Sequence, residues 1–252
     1  MIQVERQMEI LNLLKRDSLV RVDSLAERFD VSTNTIRRDL RAMEGQGLLQ
    51  LTHGGAIATN HLQMGQTIGA RADDHLDQKQ RIGAAAAGMV KDGATILLDA
   101  GTTTEHVARA LPMDARLTAL TNGLNVAHEL MRRPNVTTIL IGGMLSSTTY
   151  CSAGFLAEEF LSHFEVQQAF LSIGGEKNGS VFNTNVFEVQ IKQRMIEAAE
   201  QSYVVCTSNK IGAPSLAAFA RLQEFAGMVT DRDIDRNGKQ ELERYGIPVW
   251  FC

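Results

Sequence analysis

The chain has 252 residues, 44% hydrophobic and 21% charged, with 25 Lys and Arg against 29 Asp and Glu for a formal net charge of −4. That length fits one large domain with a smaller companion, and no apolar run approaches the ~20 residues of a membrane span. Cys151, Cys206 and Cys252 are odd in number and never paired as Cys-x-x-Cys, and none of the six histidines has another three to five residues away; neither a disulfide framework nor a metal is expected, and no cofactor.

In chain order, MIQVERQMEIL carries charges inside its apolar pattern and reads as a helix, not as a signal peptide, so a cytoplasmic location is expected. Val22 to Phe29 forms a second helix with Asp23 as its N-cap; the turn Asp30-Val31-Ser32 follows, and Ser32 caps the helix TNTIRRDLRAMEG. On that third helix Ile36, Leu40 and Met43 recur at i, i+4 and i+7 and face the core, while Asn34, Arg37, Arg38 and Arg41 recur on the far side. A helix laid in a DNA major groove needs such a face of amide and guanidinium donors, held by a supporting helix.

GLLQLTHGGAIA then reads as strand, Gly-Gly turn and strand, the wing of a winged helix-turn-helix. The helix pair alone also fits a small bundle with a solvated basic face; the hairpin in this place favours DNA. The expected domain is 3–58, with the helix-turn-helix at about 20–45 and the wing at about 47–58. Candidate DNA contacts are Ser32, Thr33, Asn34, Thr35, Arg37, Arg38, Arg41 and His53. Residues 1–58 hold eight basic and eight acidic side chains. Affinity therefore comes from a focused patch, and with a salt slope of only about −0.9 per neutralised phosphate, few contacts per subunit imply a homo-oligomer, dimer or tetramer.

Residues 59–75 lack a sustained period and read as a linker. From 76 to 252 short apolar runs, TILLD, LTALT, VTTILIG, QAFLSIGG, YVVCT, GMVTD and IPVWF, alternate with helical stretches. This rhythm predicts an α/β domain with a doubly wound, mostly parallel sheet, whose ligands bind beyond the carboxyl ends of the strands. There stands ILLDAGTTTEHVA. Gly101 permits a tight turn, and the hydroxyls and backbone N–H groups of Thr102, Thr103 and Thr104 could surround an anion at the head of a helix starting near Glu105. A plain threonine-capped turn fits equally well. Asp99 could accept hydrogen bonds from sugar hydroxyls or cap the turn. Thr121 and Asn122 end the next strand, and Gly142 and Gly143 the third, where a ligand could approach the backbone. Lys210 is either a phosphate-binding cation or a surface lysine.

The stretch VSTNTIRRDLRAMEGQGLLQLTHGGA resembles the N-terminal signature of the DeoR family of bacterial transcription regulators, and LDAGTTT, LTNGLNVA, LIGGML, NTNVFEVQIKQRMIEAA and SNKIG extend the resemblance over nearly the whole chain. The resemblance implies a winged helix-turn-helix that binds double-stranded operator DNA, and a sugar-phosphate sensor with a fold related to ribose-5-phosphate isomerase. It also places Glu188 and Lys192, whose i, i+4 spacing otherwise suits an exposed pair, at the ligand mouth. Two positions depart from the family pattern: Leu51, where an arginine is usual before the wing turn, and Thr207, where an aspartate is usual three residues before Lys210.

An isomerase needs a base beside the substrate carbon. Related isomerases carry an aspartate cluster after the strand corresponding to QAFLSIGG, where this chain offers only Glu176, and no nucleotide-binding glycine motif is present. The expected protein is thus no enzyme but a ligand-responsive regulator, a repressor of a sugar or carbohydrate catabolic operon released by a phosphorylated sugar. An isomerase-like enzyme with an appended helical domain is the alternative, and a redox sensor acting through Cys151 or Cys206 a third.

Overall fold

A computed structural model of the chain describes residues 3–17, 19–45, 49–52, 54–58 and 68–252 and separates into two compact units, Met1–Gly65 and Gln66–Cys252. Residues 47 and 48 of the expected wing, His53 and residues 59–67 of the expected linker lie outside the described residues.

The first unit runs α1 (Gln3–Asp17), β1 (Leu19–Arg21), α2 (Val22–Phe29), α3 (Thr33–Gly45), β2 (Leu49–Thr52) and β3 (Gly55–Ala58). Ile36, Leu40 and Met43 of α3 are fully buried and meet Ile10 and Leu14 of α1, Leu25 and Phe29 of α2, and Leu49 of β2. The spacing of apolar residues thus sets which face of α3 turns inward. Ser32 caps α3 as expected, its Oγ accepting from the Thr35 N–H at 3.2 Å. Asp23 does not cap α2: the N-cap is Arg21, and Asp23 lies in the first turn, where its charge suits the positive end of the helix. The sequence pattern also gives no warning of β1, which completes a three-stranded antiparallel sheet in the order β1-β3-β2. Gly55 is required by that third strand, since a Cβ there would lie 1.9 Å from the Val20 carbonyl oxygen.

Among the described residues, one ion pair sits inside this core. Asp39, on the inner face of α3, is fully buried and accepts from Arg6 Nε of α1 at 2.6 Å. The pair ties α3 to α1.

The second unit begins with α4 (Ile68–Ala72) and α5 (Leu76–Ala87), then β4 (Thr95–Leu98), α6 (Thr102–Ala110), β5 (Leu117–Thr121), α7 (Leu124–Leu130) and β6 (Val136–Leu140). A hairpin of β7 (Met144–Leu145) and β8 (Ser152–Ala153) leads into α8 (Phe155–Leu161) and β9 (Val166–Ser172). After β10 (Gly175–Lys177) and β11 (Ser180–Asn183) come α9 (Val189–Glu197), β12 (Ala199–Val205), β13 (Ala217–Arg221), β14 (Gly227–Thr230), α10 (Arg236–Arg244) and β15 (Val249–Phe251). All seven apolar runs named from the sequence become strands of one parallel sheet, ordered β15-β14-β12-β9-β4-β5-β6. Ile96 and Leu98 face α5, α6 and α7 on one side, and Leu97 faces the layer of α8, α9 and α10 on the other. Burial on both faces explains the missing polar alternation.

Strand order reverses between β4 and β9: the chain proceeds outward from β4 through β5 to β6, then returns to β9 and proceeds the other way. A crevice opens at such a switch point, beyond the carboxyl ends of the two strands. Asp99 and Ser172 stand there. Part of the stretch that reads as linker is structured within this unit, since α4 occupies Ile68–Ala72, with Ile68 buried and its N–H bonded to the Thr148 carbonyl at 2.9 Å.

Removing one partner of a buried ion pair leaves the other uncompensated and typically costs about 3–5 kcal/mol. Asp39→Ala should therefore lower the stability of the first unit by that order in a chemical-denaturation experiment followed by circular dichroism, while the exposed neighbour Arg38→Ala changes it by under about 0.5 kcal/mol.

Candidate functional site

The outward face of α3 presents Asn34, Arg37 and Arg38 with Arg41, all exposed, while Thr33 and Thr35 are half-buried near the helix start. Arg37 and Arg41 border a cleft of about 180 Å³ together with Leu40, Leu51 and the turn glycines Gly54 and Gly55. Leu51, the departure from the family pattern, is half-buried on the core, and its N–H donates to Glu44 Oε1 at 2.9 Å. It supports the wing.

The second unit gathers buried polar side chains at the switch point. Asp99, one residue beyond β4, is buried; its carboxylate accepts from Lys192 Nζ of α9, from the Ser172 N–H at 3.1 Å and from Ser172 Oγ at 3.2 Å. Lys192 also donates to the Ser172 carbonyl at 2.8 Å and lies over the Phe219 ring at 5.5 Å. Burial pushes the Asp99 carboxyl above its ordinary value, against the lowering pull of Lys192. Glu188 is buried as well, its oxygens accepting from Thr149 Oγ1 at 2.7 Å, Asn183 Nδ2 at 3.0 Å and Asn185 Nδ2 at 3.1 Å. Glu188 and Lys192 are therefore no exposed helix pair. The first belongs to the short 3-10 turn Val186–Glu188 and the second to α9, and each binds a different group.

The helix after Gly101 starts at Thr102, not near Glu105, so all three threonines belong to the first turn of α6. Backbone N–H groups there lack intrahelical partners. Thr104 Oγ1 donates back to the Asp99 carbonyl at 2.8 Å, whereas Thr102 and Thr103 make no side-chain hydrogen bond among the described residues. Gly101 has an extended backbone that any residue adopts; the glycine is required because a Cβ would lie 2.3 Å from Ser172 Oγ.

Two cations in this region escape the sequence reading. Arg71 of α4 lies within electrostatic reach of Glu188 and Asp99; burial lowers its pKa, and its Nε is buried without a hydrogen-bond partner among the described residues. Lys79 of α5 is buried and donates to the Arg71 carbonyl, and burial, with Arg71 and Lys210 nearby, lowers its pKa too. A signal for Lys79 exists: with Ile82, Gly83, Ala86 and Ala87 it completes the i, i+3, i+4, i+7, i+8 stripe that α5 buries. Arg71 carries none, standing in an aperiodic stretch.

Other expected residues serve the scaffold. Asn122 bridges three loops, its Oδ1 accepting from the Ala100 N–H at 2.9 Å and its Nδ2 donating to the Ser152 carbonyl and Cys151 Sγ at 3.0 Å each. Thr121 Oγ1 accepts from the Gly123 N–H at 3.1 Å. Gly142 and Gly143 lie past β6 at the sheet edge, two strands from β4; Gly143, at φ 143°, sits where a Cβ would lie 2.8 Å from the Ala153 carbonyl. They seat the β7–β8 hairpin. Lys210 is half-exposed at the end of a 3-10 turn whose first residue, Ser208, donates from its N–H and its Oγ to Asp231, each at 2.7 Å. Asp231 thus anchors the loop in which the family's usual aspartate is Thr207. Glu176 is fully buried and accepts from the N–H groups of Gly179 at 2.9 Å and Gly212 at 3.3 Å, binding two loops together.

A helix-turn-helix with a donor-rich outer face and a separate α/β unit with a buried polar cluster at its switch point define a DNA-binding regulator with a sensor domain. Residues 6–61 match the DeoR-like helix-turn-helix domain and residues 74–232 the DeoR C-terminal sensor domain. The chain belongs to the DeoR family of transcription regulators. It is 34% identical to an uncharacterised HTH-type transcriptional regulator, YulB, of Bacillus subtilis, covering 99% of this chain and 96% of that one. Identity to the transcriptional repressor AccR of Agrobacterium fabrum is 33%, over 90% and 89% of the two chains. The glycerol-3-phosphate regulon repressor of Escherichia coli is 31% identical over 99% of each. These relatives are transcription regulators and not enzymes. Among the described residues no helix is long and apolar enough to cross a membrane.

The thiols test the redox alternative. Burial raises the pKa of Cys151 and pushes Cys206 up to about 12. The thiolate, the form that reacts, is then scarce at pH 8. Iodoacetamide at pH 8 should leave Cys151 and Cys206 unmodified in the folded protein and alkylate both in 6 M guanidinium, as mass spectrometry of the digest would show.

Proposed function

We propose that the chain represses a sugar or carbohydrate catabolic operon, binding its operator in the cytoplasm as a homo-oligomer, dimer or tetramer, and leaving it when a phosphorylated sugar binds at the polar cluster. The observation that carries the reading is the charge pattern at the switch point. Arg71, Lys79 and Lys210 gather near the amino end of α6, where backbone N–H groups favour an anion, while Asp99 and Glu188 offer carboxylate oxygens suited to sugar hydroxyls. A dianionic phosphate beside a polyol matches both halves. The name of the glycerol-3-phosphate regulon repressor supports the same ligand chemistry.

In this reading Thr102, Thr103 and Thr104 with Gly101 present the backbone cradle, Lys192 holds Asp99 in place, and Thr121, Asn122, Gly142 and Gly143 shape the rim. Residues 3–58 read DNA: Arg37, Arg38, Arg41 and Asn34 reach bases and phosphates, Ser32, Thr33 and Thr35 approach the backbone from the helix start, and His53 is a further contact by its place in the sequence. The expected linker, 59–75, leads in sequence into the expected sensor, 76–252, whose compact unit also takes in α4 at Ile68–Ala72.

Arg38→Ala and Arg37→Ala should each weaken retention of the DNA upstream of the chain's own gene at least tenfold in a gel-shift assay, with thermal midpoints within about 2 °C of the parent. Unaltered retention would remove α3 from the interface. Thr102→Glu sets a carboxylate in the cradle and should abolish release by a panel of sugar phosphates that includes glycerol 3-phosphate and ribose 5-phosphate; release at the parent's concentrations would place the ligand elsewhere.

A further inference from the structure

α4 is five residues long, and a helix so short does not hold its shape in water without tertiary contacts. Ile68 is its one buried side chain; Gly69 and Ala70 are exposed, and a glycine inside a helix weakens it further. Bonds at both ends fasten it. The Ile68 N–H donates to the Thr148 carbonyl at 2.9 Å, and Lys79 Nζ of α5 donates to the Arg71 carbonyl. Two unfavourable features accompany this docked position. The turn into α5 holds His75 in a left-handed backbone at φ 55°, which is uncommon outside glycine, and Arg71 Nε is buried with no hydrogen-bond partner among the described residues.

The carboxylates near Arg71 do not serve that donor. Asp99 and Glu188 lie within its electrostatic reach, yet Asp99 accepts from Lys192 and Ser172, and Glu188 from Thr149, Asn183 and Asn185. Lys79 stands in a similar position, a buried ammonium with three donors whose described bond is to a backbone carbonyl. A helix carrying strain and an unmet donor is fastened further by whatever meets the donor.

We infer that α4 is a latch closed by the phosphate: a phosphate bound at the amino end of α6, against which α4 packs, accepts from Arg71 Nε and thereby clamps α4 to the sensor unit. The inference rests on the sugar-phosphate reading and adds to it the element that answers to the ligand. A guanidinium presents parallel N–H groups that match two oxygens of a phosphate, whereas an uncharged polyol leaves both buried cations without a counter-charge. α4 therefore senses the phosphate group and not the sugar. Because Arg71 reaches the ligand only when α4 is docked, the ligand binds the docked form more tightly and shifts the population toward it. Arg71 lies outside both matched domains, in the short stretch between them. As the first described element of the sensor unit, α4 fixes where the chain enters that unit.

Hydrogen–deuterium exchange of the full-length chain, read in peptides spanning 68–75, tests the latch. Glycerol 3-phosphate, ribose 5-phosphate and inorganic phosphate are the probes, with glycerol and ribose as controls. A bound phosphate probe should slow exchange in that segment about tenfold or more, and the controls should leave it unchanged. Arg71→Met keeps the apolar stem and removes the donors; it should raise the Kd of each bound probe about tenfold or more and abolish the slowing. Ile68→Ala loosens the docking of α4 at a distance from the donor and should raise the same Kd about threefold or more. Far-UV circular dichroism checks that both variants keep the fold. A folded Arg71→Met that binds like the parent overturns the inference. Binding of either sugar phosphate with unchanged exchange at 68–75 overturns the latch and leaves the sugar-phosphate reading standing. Slowing by inorganic phosphate alone supports the latch and points against the sugar, and a parent that binds none of the three overturns both.

Discussion

The Asp99–Lys192 pair fixes the geometry of the sensor unit. Asp99 directly follows β4, Lys192 arrives from α9 on the opposite layer, and Ser172, ending β9, is bonded to both. Strand order reverses at this point, so no backbone ladder continues past it, and charge-assisted bonds hold the two strand ends and a helix together instead. Two buried charges are costly to desolvate, and a pair of apolar residues could pack there at less expense. What the pair supplies is a polar floor at a fixed place. Gly101 is constrained by the same floor, because its lack of a side chain lets the β4–α6 loop lie on Ser172.

The first unit solves a smaller problem with the same device. A helix can present amide and guanidinium groups to DNA only if its inner face is rotationally fixed, and three aliphatic side chains alone permit small rolls. Asp39, one turn from Ile36 and beside Leu40, is bonded to Arg6 and sets the roll of α3. Since the unit carries as many acids as bases, orientation of the few outward arginines matters more than total charge.

Much of the fold was legible because parallel strands buried on both faces must be apolar throughout, and every one of the seven runs obeyed that rule. The recognition helix was legible for a similar reason, its two faces differing sharply in chemistry. What escaped depended on tertiary contact. β1 is three residues long and pairs with a strand 36 residues on, too short to carry a period. The start of α6 was placed late because threonine is a poor helix former, yet a first turn tolerates it when the N–H groups face a polar cluster. Glu188 and Lys192 fit the ordinary exposed i, i+4 pair so well that only burial tells them apart from one. Arg71 lay in a stretch without pattern, and nothing short of the folded cluster reveals it.

Arg71 also explains how occupancy of the polar cluster could cost or release enough energy to matter. Its Nε is buried with no partner among the described residues, and an unsatisfied buried donor of this kind costs on the order of 1–3 kcal/mol. On the proposed reading, a phosphate oxygen entering the cluster meets that donor and removes the penalty. The helix that gains is α4, the first described element after Ala58, held by the Ile68 N–H on Thr148 and by Lys79 on the Arg71 carbonyl. A tenfold change in operator affinity requires about 1.4 kcal/mol, so satisfying one guanidinium nitrogen lies in the range that allosteric coupling needs. Thr148 itself precedes Thr149, so α4 and the Glu188 network are joined through two consecutive residues, 148 and 149, and a ligand that reorders either acts on both.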